Sequence, residues 1–353
     1  MRPSRPWSFV ALVLIVLAPG TGTNAQPTLP RDRAPVVDNA IRSLVDRLYS
    51  PDAKERAEAA CQIGRRHAEA ASAAPVLLSM LGDAVTVPAP ECDMSPWLRR
   101  TLANSPDARA WDTSPAQEAA EALGEIGNAA VPGLLRALAD SNPTVRTFAA
   151  FGLGEVDEIV ERAQVIGALA AALGDSHPDV RDRSAWALGE VEDPMAVEPL
   201  LKALQGSDAR LRARAAWALG EIEHPSAVTG LVSALADRDA AVREKSIWAL
   251  GEIESPAAIP GLLQTLADTD VEVRRQSAWA LGEIEDLTAV DGLVRALTDS
   301  DWQVRKTAAW ALGEIGDVRA VDALQAAARD GNGEVRRAIA HALRELRDQR
   351  DRE

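Results

Sequence analysis

The chain has 353 residues, 47% of them hydrophobic, with a formal net charge of −15, two cysteines and four histidines. Such an acidic surface repels phosphate backbones and anionic lipid, which argues against both nucleic-acid and membrane-surface binding. The apolar fraction suffices for a large core, but an internal repeat makes that core one-dimensional, so length is a poor guide to domain number.

Arg2 and Arg5 precede an apolar run from Trp7 to Ala18, and Thr23-Asn24-Ala25 offers a cleavage site before Gln26. This is the pattern of a secretory signal peptide over residues 1–25. The run is shorter than the ~20 apolar residues that span a bilayer, and an uncleaved anchor is the alternative. Export places the mature chain in the periplasm or outside the cell. Removing a leader that carries two arginines and no acid makes the chain more acidic still.

Residues 26–34, rich in Pro and Arg, are expected to be flexible. A first helix pair is predicted over 35–49 and 52–67, and a second pair begins at 74–81. Its second helix, 116–126, is delayed by an insertion over about 82–114 that contains Pro88, Pro90, Cys92, Trp97, Arg99, Arg100 and Trp111. A long irregular segment in a regular array is either functional, here as a lid over a ligand, or simply a loop. In an oxidising compartment Cys61 and Cys92 could pair; two free thiols are the alternative.

From Ala130 the units become regular. Trp-Ala-Leu-Gly-Glu recurs at Trp186, Trp217, Trp248, Trp279 and Trp310 with a spacing of 31 residues. Each copy follows an apolar segment, an acidic turn and a Val-Arg or Leu-Arg pair, so each unit is two short helices, and nine units are counted. Asn142, His177, Asp208, Asp239, Asp270, Asp301 and Asn332 stand at the start of the second helices, most of them good N-caps, with Pro143 and Pro178 following where a missing N–H costs nothing.

Val145-Arg146, Ala122-Leu123-Gly124 and Ala130-Val131-Pro132 resemble HEAT repeats of the short type found in phycobilisome-lyase-like proteins. That resemblance covers nearly all of the mature chain. It implies an all-α, armadillo-type solenoid with the second helices on the concave side, and implies little about the ligand. Two enzyme readings come with it, a chromophore (bilin) lyase and an oxidoreductase similar to deoxyhypusine hydroxylase. The iron ligands of the latter lie in His-Glu dipeptides, and none occurs here.

On a helical wheel Val180, Ser184, Ala185, Ala187, Leu188 and Val191 share one arc, and Trp186 points away from it with Asp179, Arg183 and Glu190. The five Trp side chains, with Glu190, Glu221, Glu252, Glu283 and Glu314 one turn later, therefore form an aromatic and acidic strip suited to a basic or amphipathic protein segment. The alternative is that each indole seals one unit to the next by folding over Gly189 and its equivalents or stacking on Arg183, Arg214 and Lys245. Stacking on sugars is a third reading. The row Arg146, Arg181, Arg212, Arg243, Arg274, Arg305 and Arg336 is assigned to structure, as a ladder of Asp–Arg pairs in which Asp208, Asp239, Asp270 and Asp301 stand four residues before their Arg; an anion-binding stripe is the alternative. His67, His177, His224 and His341 are scattered, so no metal, cofactor or catalytic set is expected, and His341 and Arg344 mark a polar terminal unit. The expectation is an exported, non-enzymatic, protein-binding scaffold.

Overall fold

The computed structural model describes residues 27–89 and 112–350. The expected leader and its expected cleavage site, and Pro90, Cys92, Trp97, Arg99, Arg100 and Trp111 of the insertion, lie outside the described residues. Among those described, eighteen α-helices form nine consecutive pairs. The chain divides into two compact bodies, one running to Gly152 with Val156–Glu158, the other holding Leu153–Glu155 and everything from Ile159.

The first body contains α1 (Arg42–Arg47), α2 (Ala53–Gly64), α3 (Ala74–Ser79), α4 (Pro115–Ile126), α5 (Val131–Ala137) and most of α6 (Pro143–Gly154). Asp52 and Ser114 cap α2 and α4 by accepting from the amides of Lys54 and Gln117. Helix α1 starts later than predicted because the Asp38 carboxylate accepts from the Ala40 amide and holds a turn in front of it. The segment expected to be flexible is tied down at Thr28, whose amide and hydroxyl both donate to the carbonyl of Ser79 at the open end of α3. The insertion has a base of its own: β1 (Val87–Pro88) pairs antiparallel with β2 (Asp112–Thr113), and Val87 packs on Ala53 and Ala57. Cys61 is not a free thiol.

The second body begins with the last turn of α6 and continues through α7 (Arg162–Ala172), α8 (Pro178–Glu190), α9 (Val197–Leu204), α10 (Ala209–Ile222), α11 (Val228–Ala234) and α12 (Ala240–Ile253). It ends with α13 (Ile259–Thr265), α14 (Val271–Ile284), α15 (Val290–Ala296), α16 (Trp302–Ile315), α17 (Val321–Ala327) and α18 (Gly333–Arg350). The even-numbered helices from α8 to α18 pack each on the next, and each odd-numbered helix packs on the one that follows it. The arc read from the wheel is buried at Val180, Ser184, Ala185, Ala187, Leu188 and Val191. Asp208, Asp239, Asp270 and Asp301 act as N-caps. His177 makes no side-chain cap, and α8 begins on Pro178 alone.

The arginine ladder is real, but its partners differ from those predicted. Arg212, Arg243, Arg274 and Arg305 each form a two-pronged pair with Asp237, Asp268, Asp299 and Asp330, twenty-five residues on, in the turn of the next unit. The Asp four residues before each Arg is already occupied capping its own helix. Where Gly206 replaces the acceptor, Arg181 falls on the cap residue Asp208 instead, at 2.5 Å. A member of the ladder missing from the sequence reading is Arg56, which reaches Asp83 at 2.6 Å and the carbonyls of Ser50 and Pro51.

Helices α10, α12, α14 and α16 end on a left-handed residue: Glu223, Glu254 and Glu285 at φ 50–52°, and Gly316 at φ 75°. An L side chain there costs roughly 1 kcal/mol that glycine does not. Glu254→Gly should therefore raise stability by about 0.5–1 kcal/mol, read as a higher urea midpoint at unchanged slope; a fall would show that the side chain has a role in holding the turn.

Candidate functional site: a strip of indoles and carboxylates

All five Trp side chains of the motif are half-buried on the same side of α8, α10, α12, α14 and α16. Their placement follows from the glycine of the motif in the preceding unit. A Cβ added to Gly189 would lie 3.0 Å from Cζ3 of Trp217, and one on Gly154, Gly220, Gly251 or Gly282 would lie 2.6–2.7 Å from Cζ3 of Trp186, Trp248, Trp279 or Trp310. Each ring thus lies in the notch that a glycine leaves on its neighbour. Arg183 and Arg214 cover the rings of Trp186 and Trp217 at 5.2 and 5.5 Å from the centroids. Burial there pulls the Arg183 guanidinium down to about 10, still charged at neutral pH. Lys245 turns to Glu244 at 3.1 Å.

The indoles therefore pack one unit against the next, as one of the three readings has it, while each stays partly exposed to solvent. Indole N–H groups also reach the glutamate row: Trp186 donates to Glu190 and Trp279 to Glu283. The acid edge beyond the rings is dense, because the left-handed glutamates Glu192, Glu223, Glu254 and Glu285 stand two residues after Glu190, Glu221, Glu252 and Glu283. This second row escapes a sequence reading, since only the backbone turn brings it beside the first.

The electrostatic consequence is largest at the middle of the edge. Burial, reinforced by Glu190, Glu252, Glu192 and Glu223, pushes the Glu221 carboxyl up to about 7. Burial also raises Glu190, with Glu192 adding to it, and raises Glu283, with Glu252 and Glu254 adding. On the opposite flank of the rings acids and bases are interlocked: Asp182 accepts from Arg210 and Arg214 at 3.2 and 3.3 Å, and Arg210 also holds Asp179 at 2.8 Å. The strip is thus charge-compensated on one side and strongly acidic on the other.

The model of HEAT repeats matches residues 131–208, 197–278 and 259–344. This chain belongs to the HEAT repeat family. The model of the PBS lyase HEAT-like repeat also matches, over residues 116–140 of the HEAT array. No curated protein matches the chain. Solved structures similar to this HEAT protein include YibA of Escherichia coli, 21% identical with a TM-score of 0.52 over 70% of this chain and 90% of that one. Importin beta is 15% identical with a TM-score of 0.53, covering 88% of this chain and 51% of that one. The complex of CpcE and CpcF of phycocyanin lyase from Nostoc is 24% identical with a TM-score of 0.41, covering 61% and 94%. At these identities the likeness is one of fold: an all-α HEAT-like solenoid.

Among the described residues, no group of three or more His, Cys, Asp or Glu side chains is placed to hold a metal ion, and no helix is long and apolar enough to cross a membrane. Each histidine has a local neighbour: His67 with Glu125 at 2.7 Å, His177 with Asp179 at 3.7 Å, His224 with Ser226 at 2.7 Å and His341 with Glu345 at 3.9 Å.

Proposed function

We propose that this HEAT protein is a non-enzymatic scaffold that binds a basic or amphipathic protein segment along its strip of indoles and carboxylates. The observation that carries this reading is the one-sided acid edge, with the Glu221 carboxyl raised to about 7 by burial and by its own like-charged neighbours. An acid row held together at the cost of its own repulsion favours a cation that would relieve it. Four glutamates kept in a left-handed backbone conformation support the same reading, since strain retained in successive repeats points to a role for the side chain. The leader carries the chain to the periplasm or beyond, which a mature N-terminus at Gln26 in mass spectra would test.

The test of the strip is the pair Glu221→Gln, Glu252→Gln, with chemical crosslinking in periplasmic extract as readout. Wild type is expected to capture a partner through a lysine- or arginine-rich segment, and the variant to lose it while folding normally. Because the folded pKa of Glu221 is raised, its unfavourable effect on stability grows as pH rises from the ordinary carboxylate range through about 7, so the variant should be slightly more stable than wild type at and above that pH. Capture should weaken as pH falls through about 7, where Glu221 takes up a proton. Undiminished capture by the folded variant would refute the acid edge as the contact surface.

A further inference from the structure

The indoles repeat, but the side chain three residues before each of them does not. The series runs Arg183, Arg214, Lys245, Gln276 and Thr307, and ends with Ala338 before His341. At the first two positions a guanidinium covers the ring. Gln276 is uncharged, and Thr307 and Ala338 are too short to reach across an indole. At the same end the row itself stops. His341 stands where a Trp would be, so a Cβ on Gly313 would meet only the backbone and methyl of Ala342, at 3.0 and 3.1 Å, where its equivalents meet a ring.

These two departures coincide with a groove of about 460 Å³ over Trp279 and Trp310, lined also by Arg275, Lys306, Thr307 and His341. Its size lies in the range of a ligand-binding cleft, roughly 300–1,000 Å³. The two cations on its rim already face acids, Arg275 on Glu272 and Lys306 on Glu334. They leave little charge for an anion. One turn along the same helices stand Glu283 and Glu314, and the only charged residues of α14 and α16 beyond their Trp are these two glutamates.

We propose that this groove is the anchor point of the strip, taking one aromatic or branched aliphatic side chain of a partner polypeptide whose flanking Lys or Arg residues pair with Glu283 and Glu314. The proposal rests on the reading of the strip as a partner-binding surface, and adds where on it the apolar contact is made and what sequence chemistry makes it. The covered rings of Trp186 and Trp217 contribute packing and the acid edge beside them long-range attraction. The uncovered pair, Trp279 and Trp310, gives the depth that a hot spot needs.

The experiment is selection of a random linear peptide library on the purified chain, followed by affinity measurement of enriched peptides on two groove-filling variants. Thr307→Arg restores the cover seen over Trp186 and Trp217, and His341→Trp extends the row into the last unit from the other side. Two independent fillings guard against one failing to fold, and circular dichroism checks both. Enriched peptides are expected to carry a large apolar residue flanked by Lys or Arg, and to lose about tenfold or more in affinity on either folded variant. Acidic consensus peptides, or peptides without an apolar residue, would overturn the proposal. Peptides that keep their affinity on both groove variants but lose it on Glu221→Gln, Glu252→Gln would overturn the anchor while leaving the strip standing. Peptides indifferent to all these variants, or no enrichment at all, would overturn both.

Discussion

Arg56→Met is expected to destabilise the N-terminal body by about 3–5 kcal/mol, the loss that follows when one partner of a buried ion pair is removed. The Arg56 and Asp83 side chains are 0% and 1% exposed and 2.6 Å apart, which makes theirs the most deeply buried ion pair among the described residues. The guanidinium also donates to the carbonyls of Ser50 and Pro51, at 2.8 and 3.1 Å, so the change takes the Arg56 donor from two carbonyls and from a buried carboxylate that keeps only the Val85 amide. Burial already raises the Asp83 carboxyl, with the Arg56 hydrogen bond and charge acting against it. Without Arg56 the carboxyl rises further. A raised carboxyl gives stability that is present below its unfolded pKa and lost as pH rises through the folded one, so the deficit of the variant should be largest at neutral pH and shrink towards the unfolded carboxylate range. Urea unfolding at several pH values measures this, and Arg56→Met combined with Asp83→Ala should recover much of the loss. A single variant within about 1 kcal/mol of wild type at neutral pH would show that the pair is not what joins the first two units.

Gly220→Ala should cost about 1–3 kcal/mol, although alanine is the better helix former. The added methyl would sit 2.6 Å from Cζ3 of Trp248 and 2.9 Å from both Cα and Cβ of Ala249. The ring could tilt, but the backbone of α12 cannot retreat without parting from α10. Gly167→Ala is the matched control: it also lies within a helix, has nothing within 4 Å of its new methyl, and should gain about 0.5–1 kcal/mol. Melting temperatures of the two variants should move in opposite directions; equal shifts would remove the notch as the reason for glycine in the motif. Truncating Trp217 and Trp248 removes the same packing from the other side, so a Trp variant that loses a partner does not separate binding from folding. The glutamate exchanges do.

Much of this molecule is legible without coordinates because a repeat writes the same local physics many times. The buried arc of α8, the caps at Asp208, Asp239, Asp270 and Asp301, and the nine helix pairs follow from periodicity and capping chemistry, which act within a few residues. The alignment of Trp with Glu one turn later is of the same kind.

What spacing along one helix cannot decide is which unit a side chain reaches. An arginine four residues from a capping aspartate has an obvious partner in sequence, yet the cap has spent that carboxylate and the long guanidinium crosses to Asp237, Asp268, Asp299 or Asp330 in the next unit. Arg56 stayed hidden because its unit is degenerate and its acid, Asp83, lies beyond an intervening helix. The Trp row had more than one reading because a wheel gives the direction of a side chain and not what its neighbour leaves room for. Only the packed array places each ring on the preceding glycine and, where the cover and the last Trp are missing, opens the groove at Trp279 and Trp310. Local structure was thus written in the sequence by short-range bonding and burial, whereas partners, notches and the uneven exposure of identical motifs were decided by which surfaces the stacked units bring into contact.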